Sequence, residues 1–164
     1  ENNLLDEGYK YSIEKLFVKP ESNASHECWF EHALCSICET SNMIGYSKST
    51  LERIDAYWSE HFDPLSFPQL RPDEMFNIDE WIHRCAISHK SIDELKIYQI
   101  ACTFVGNHIS FFPGPHMISG KVLQENSKLM SSASQTQIRQ YIEQHSTRSP
   151  EELAILTGEY ESSA

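Results

Sequence analysis

The sequence predicts an all-α protein, a compact bundle of six or seven helices with one irregular Pro/Gly-containing segment near residues 107–120. Three observations predict this fold. Apolar side chains recur at intervals of three and four residues along most of the chain, one segment is apolar on nearly all sides, and Ser-x-x-Glu capping boxes stand at expected helix starts. With 164 residues, the chain is long enough to bury a core.

The first two helices are predicted from the spacing of apolar residues. Apolar side chains repeat at near-helical intervals from Leu5 to Leu16, and Pro20 ends this segment because proline cannot continue a helix. A second helix is expected after Ser25 and through Cys38. Its side chains are apolar almost all round, which places it at the centre of the bundle.

The next two helices are predicted mainly from their start signals. Ser49 and Glu52 have the spacing of a capping box, and the apolar stripe from Leu51 to Phe62 then faces the core. Pro72, followed by two acidic residues, is a favourable first position for a further helix, since acidic side chains stabilise the positive end of the helix dipole.

A capping box from Ser91 to Glu94 is expected to open a helix whose apolar face extends over residues 95–105. Gly106-Asn107 would end this helix. The segment Ile109–Ile118 does not fit a helix, because Pro and Gly interrupt it. It is expected to form either two very short strands or an ordered loop.

The composition divides the chain into a helical core domain and a small appendage. Residues 1–125 are predicted to form the core domain, and the Ser-rich residues 126–136 a linker. Residues 137–158 are predicted to form a small helix pair, whose second helix begins at Ser149-Pro150. Residues 159–164 are expected to be a disordered tail.

The charge balance disfavours some partners. There are 24 acidic and 13 basic residues, giving a net charge of −11. Nucleic acids and anionic membranes would meet net repulsion, because their sequence-independent attraction depends on Lys and Arg. No apolar run approaches the roughly 20 residues that span a bilayer. The odd count of five cysteines and the absence of a signal-peptide pattern favour a reducing, cytoplasmic location.

One cluster of cysteine and histidine offers metal chemistry. In a helix, Cys28, His32 and Cys35 would share one face, and Cys35-x-x-Cys38 is a common zinc-ligand pair. A structural zinc site is therefore one alternative; the other is a buried helix that uses cysteine as a small apolar residue. A redox role for the Cys35 and Cys38 pair would require a thioredoxin-like βαβ context, and the helical interpretation supplies no strands there.

A second alternative is DNA binding through residues 41–62. This segment resembles the turn and recognition helix of helix-turn-helix proteins, with a small residue four positions before a turn glycine and Ser/Thr at the start of the second helix. The resemblance implies a transcription regulator that acts as a dimer. It assigns DNA contacts to Ser47, Lys48, Thr50 and Arg53.

The leading functional prediction is a non-enzymatic protein that binds another protein as a regulator, adaptor, chaperone-like factor or effector. The nucleophile elbow, the phosphate-binding loop and the dinucleotide fingerprint are absent from the sequence, so no cofactor other than zinc is expected. The positive indication is an aromatic and Met-containing segment of the kind enriched at interface centres. The predicted partner-binding residues are Phe111, Phe112, His116 and Met117.

Overall fold

A five-stranded antiparallel sheet forms the centre of the fold, so the predicted all-α class is wrong and the protein is α+β. The computed structural model describes residues 8–21, 25–38, 46–64, 68, 75–111, 114–146 and 148–158. The strands are β1 (Lys10–Val18), β2 (Glu27–Cys35), β3 (Ile97–Val105), β4 (His108–Ile109) and β5 (His116–Ser119). Strand β1 lies between β2 and β3, while the other edge of β3 pairs with β5 along one part and with β4 at its carboxyl end.

The strand register determines which side chains share a face of this sheet. Glu14 on β1 pairs directly with His32 on β2, and Leu16 pairs with Gln99 on β3. Directly paired residues point to the same side, and residues two apart in a strand also share a face. Glu14, His32 and Gln99 therefore project from the same face.

Helices and a 3-10 turn accompany the sheet in the described part of the chain. They are α1 (Lys48–His61), α2 (Ile78–Ile82), the 3-10 turn Ile92–Glu94, α3 (Gly120–Leu129), α4 (Ser132–His145) and α5 (Pro150–Leu156). Each of these α-helices begins after a Ser or Asn whose side chain accepts a backbone N–H. Such caps satisfy donors that have no partner within the helix.

The predicted helix-start signals had different outcomes, and the capping box predicted from Ser49 to Glu52 is wrong. Helix α5 begins at Ser149-Pro150 as predicted, and its start contains a capping box from Ser149 to Glu152, with Pro150 at its first position. Helix α1 lies where a helix is predicted, although its cap is Ser47. The capping box from Ser91 to Glu94 is also present, but it opens only the 3-10 turn, and strand β3 comes next.

Three predicted helices are strands. The segments predicted as helices up to Leu16, from Ser25 to Cys38 and over residues 95–105 contain β1, β2 and β3. Side chains on both faces of β1 are buried, with Leu16 packed on one face and Tyr11 on the other. Apolar residues on both faces remove the simple alternation that identifies a strand, and the remaining spacing resembles that of a helix.

The core consists of two clusters that the helices and the sheet share. One contains the fully buried Met117 and Val122 with Cys85, and the other joins Leu16 and Val18 of β1 to Ile142 of α4. Residues 126–136, which the sequence predicts as a linker, belong largely to α3 and α4. Residues 159–164 lie outside the described part of the chain. Within that part, no helix combines the length and the apolar character needed to cross a bilayer.

The segment near residues 107–120 contains two short strands, one of the two forms expected for it. Strand β4 comes after the turn at Gly106, whose positive φ of 58° favours glycine. Strand β5 runs antiparallel to β3 and leads directly into α3 through the cap Ser119. This connection brings α3 back across the sheet.

Candidate functional site

A cavity of about 430 Å³ lies between the sheet and the helices. Strands β1, β2, β3 and β5 supply its floor, and α1, α3, α4 and the end of α5 supply its walls. Most of the lining is apolar, from residues such as Leu16, Phe30, Leu51, Ile54 and Leu123. A cavity of this size with few polar groups is typical of a small-molecule site.

The polar centre of the cavity is the Glu14 carboxylate. The side-chain amide of Gln99 donates a 2.6 Å hydrogen bond to Glu14 Oε2, and His32 Nε2 lies 3.6 Å from the same oxygen. The Glu14 side chain keeps 37% of its surface exposed and that of His32 keeps 19%. Gln99 therefore orients the carboxylate while leaving it accessible from the cavity.

Aromatic side chains hold the His32 ring in place. The ring meets Phe30 and Tyr141 edge to face, with centroid distances of 5.3 and 5.8 Å. Such contacts restrict the ring orientation as well as burying its surface. At 3.6 Å, the separation between His32 Nε2 and Glu14 exceeds a hydrogen bond, so the two groups interact mainly through charge when the imidazole is protonated.

Two tyrosines bring hydroxyl groups close to the carboxylate. Burial and, second, the negative charge of Glu14 raise the pKa of Tyr46 to about 12. The same two causes raise the pKa of Tyr141, with a further contribution from Cys38. Both hydroxyls consequently remain protonated at neutral pH and can donate hydrogen bonds to the carboxylate side of the cavity.

A buried amide without a partner lies on the helical wall. The side-chain oxygen of Asn126, on α3, is buried and has no hydrogen-bond partner among the described residues. A buried amide oxygen without a partner is unfavourable by about 1–3 kcal/mol. This oxygen has almost no accessible surface, so it does not face the open space of the cavity, whereas Glu14 on the sheet remains accessible.

The predicted zinc ligands do not share a face. Cys28, His32 and Cys35 lie along strand β2 rather than on a helix, and a rise of about 3.3 Å per residue puts the two cysteines roughly 23 Å apart. The shared-face prediction is wrong because it depended on helical spacing. Among the described residues, no group of three or more His, Cys, Asp or Glu side chains is placed to hold a metal ion.

The predicted DNA contacts lie at the start of α1. Ser47 is the helix cap and Lys48 pairs with Glu52, whereas Thr50 is fully buried. The Arg53 guanidinium donates a 2.7 Å hydrogen bond to the Leu129 carbonyl. Thr50 and Arg53 thus make contacts within the protein. Residues 41–45, which contain the resembling turn, lie outside the described residues.

The predicted partner-binding residues are divided between surface and core. Phe111 is partly exposed, His116 is half-buried with its Nδ1 3.0 Å from the Gly114 carbonyl, and Met117 is fully buried. Phe112 lies outside the described residues. The fold therefore does not bring His116 and Met117 to one surface with Phe111.

Sequence reasoning missed Glu14, Gln99, Tyr46 and Asn126, and it selected His32 for a different role. Glu14 lies two positions before the apolar Leu16, and the two share a face only if the segment is a strand. The position of Glu14 is therefore informative only once the strand is recognised. Comparison of the chain with protein-family models, with curated proteins and with solved structures finds no match.

Proposed function

We propose that this protein binds a small, largely apolar organic molecule that carries an amino group. The observation that carries the proposal is the Glu14 carboxylate, held by Gln99 and facing a mostly apolar cavity of about 430 Å³. The apolar part of the ligand would fill the space between the sheet and the helices. Its charged nitrogen would donate to Glu14.

The negative charge of Glu14 favours a hydrogen-bond donor over an acceptor in the ligand. An ammonium nitrogen would meet a charged acceptor at Glu14, whereas a ligand carboxylate would face repulsion from Glu14. Charge interactions strengthen where apolar walls exclude water. The net charge of −11 adds a long-range attraction for cations.

The proposal can be tested with matched naphthalene derivatives, which fill the same space and differ in one group. We expect 1-naphthylmethylamine to bind at least about tenfold more tightly than 1-naphthaleneacetate in isothermal titration calorimetry, because a hydrogen bond to a charged group contributes about 1.5–3 kcal/mol. Glu14→Gln should remove most of this preference while leaving the cavity volume unchanged.

Glu31→Gln is the matched control for this experiment. Glu31 pairs with Lys15 at 2.9 Å on the opposite face of the sheet and loses the same charge on substitution. The Glu31→Gln variant should keep the preference for the amine over the acid. Equal binding of the amine and the acid by the wild type, or equal effects of the two substitutions, would contradict the proposal.

A second candidate function is protein binding, favoured by an aromatic surface that we define as Met75, Phe76, Ile78, Trp81 and Phe111. Met75 is 95% exposed, and Phe111 packs edge to face on Phe76 with a centroid distance of 5.1 Å. Exposed apolar side chains grouped in this way are typical of interaction sites. The partner to test first is a second copy of the chain, which would bind through the same aromatic surface.

Sedimentation velocity over a range of concentrations tests this second candidate. If the aromatic surface joins two copies, Met75→Ser and Phe111→Ala should each shift the wild-type dimer towards monomer. Ile37→Ser is the control, because Ile37 is 69% exposed outside this surface. A wild type that stays monomeric at all concentrations rules out self-association through this surface.

A further inference from the structure

Cys35 and Cys38 form a close pair of thiols at the end of strand β2. Cys35 is the last residue of the strand, and the chain then turns so that the backbone N–H of Cys38 donates to Cys35 Sγ at 3.4 Å. Both residues are free thiols; Cys35 is half-buried and Cys38 is exposed. The two thiols are therefore held close together at the end of a strand, in an antiparallel sheet rather than in a thioredoxin-like βαβ unit.

The two thiols differ in acidity because of this contact. Hydrogen bonds from the backbone N–H and the thiol of Cys38 lower the pKa of Cys35. The hydrogen bond with Cys35 and its negative charge raise the pKa of Cys38. Cys35 is thus the better nucleophile at neutral pH, and Cys38 is the thiol that reacts afterwards.

The other three cysteines lack this combination of acidity and access. Burial and the charge of Glu31 raise the pKa of Cys28, and burial raises the pKa of Cys102 to about 11. Cys85 is almost completely buried, and its sulfur accepts a hydrogen bond from the backbone N–H of Ser119. These three thiols are expected to react slowly with a disulfide in solution.

We propose that Cys35 and Cys38 are a thiol–disulfide exchange site whose substrates are low-molecular-weight disulfides such as oxidised glutathione. The Cys35 thiolate attacks one sulfur of the disulfide, forms a mixed disulfide and releases the first small thiolate, which takes up a proton. The Cys38 sulfur, after losing its proton, attacks Cys35 and releases the second thiol. The protein dithiol is oxidised by two electrons, and one small disulfide is reduced to two thiols.

The exchange can be tested on the full chain in mixtures of reduced and oxidised glutathione at pH 7. After alkylation of the remaining thiols, peptide mass spectrometry should show a disulfide between Cys35 and Cys38. Cys38→Ser should instead accumulate glutathione on Cys35, because the second attack is removed. Cys28→Ser should behave as the wild type.

The rate of alkylation provides a test that needs no variant. At pH 7 the wild-type Cys35 should react with iodoacetamide about tenfold or more faster than Cys28, since only the thiolate reacts. Equal rates at the two positions would overturn the proposal. So would glutathione that remains attached equally to Cys28 and Cys35 in the wild type, with no disulfide between Cys35 and Cys38.

Discussion

The Thr50 hydroxyl is expected to tie α1 to the start of α4, and its removal should destabilise the fold. The side chain is fully buried, and its oxygen accepts a 3.0 Å hydrogen bond from the backbone N–H of Ser131. The same oxygen lies 2.9 Å from Ser47 Oγ and accepts from Ser134 Oγ at 3.5 Å. One hydroxyl thereby connects the caps of two helices that are distant in sequence.

The cost of Thr50→Val can be worked out from these contacts. Valine has nearly the same shape, so the main loss is the acceptor for the part-buried Ser131 N–H, which is unfavourable by about 1–3 kcal/mol. The weaker hydroxyl contacts add about 1 kcal/mol, giving an expected loss of about 2–4 kcal/mol. Thr50→Ser keeps the hydroxyl and removes one buried methyl group, for which about 1 kcal/mol is expected.

Urea denaturation monitored by tryptophan fluorescence measures this difference. With a slope of about 2 kcal/mol per M, Thr50→Val should lower the midpoint by about 1–2 M and Thr50→Ser by about 0.5 M. A valine variant as stable as the serine variant, or more stable, would refute the role assigned to the hydroxyl. Thr50 was predicted to contact DNA but is fully buried, and this result would leave its burial without a structural explanation.

Three further substitutions test the ends of the fold and its core. Gly158→Ala should destabilise the protein by about 1–2 kcal/mol in the same denaturation assay, because Gly158 has φ of +70° and an added Cβ would lie 2.9 Å from the Leu123 carbonyl oxygen. Met117→Ala should cost about 2–5 kcal/mol, since the side chain is fully buried. The backbone N–H of Ser149 and the Arg148 side chain lower the pKa of Glu152 below its ordinary value of 4.5. The ionised Glu152 therefore stabilises the folded state above pH 4.5, and this contribution is lost as the pH falls through the lower pKa of the folded state. Denaturation of the wild type and of Glu152→Gln at pH 7 and at pH 2 should show a difference in the free energy of unfolding only at pH 7.

Local start signals could be predicted because they depend on residues close in sequence. The capping box at Ser149 with Pro150 satisfies the first backbone donors of α5 whatever the remainder of the chain does. The box at Ser91 forms for the same reason. The strand after that box could not be predicted in this way, because β3 is stabilised by pairing with β1, which is distant in sequence. Pairing between distant segments outweighs local propensity here.

The sequence pattern along strand β1 changes where the cavity begins. The face of β1 that points to the helices carries Ser12 and Glu14 in one half and Leu16 and Val18 in the other. The apolar half packs in the core with Ile142, while Glu14 in the polar half lines the cavity. A strand buried along its whole length would carry apolar residues at all four positions. The departure from that pattern at Glu14 therefore coincides with the cavity, and the Glu14 carboxylate is the group on which the proposed ligand binding depends.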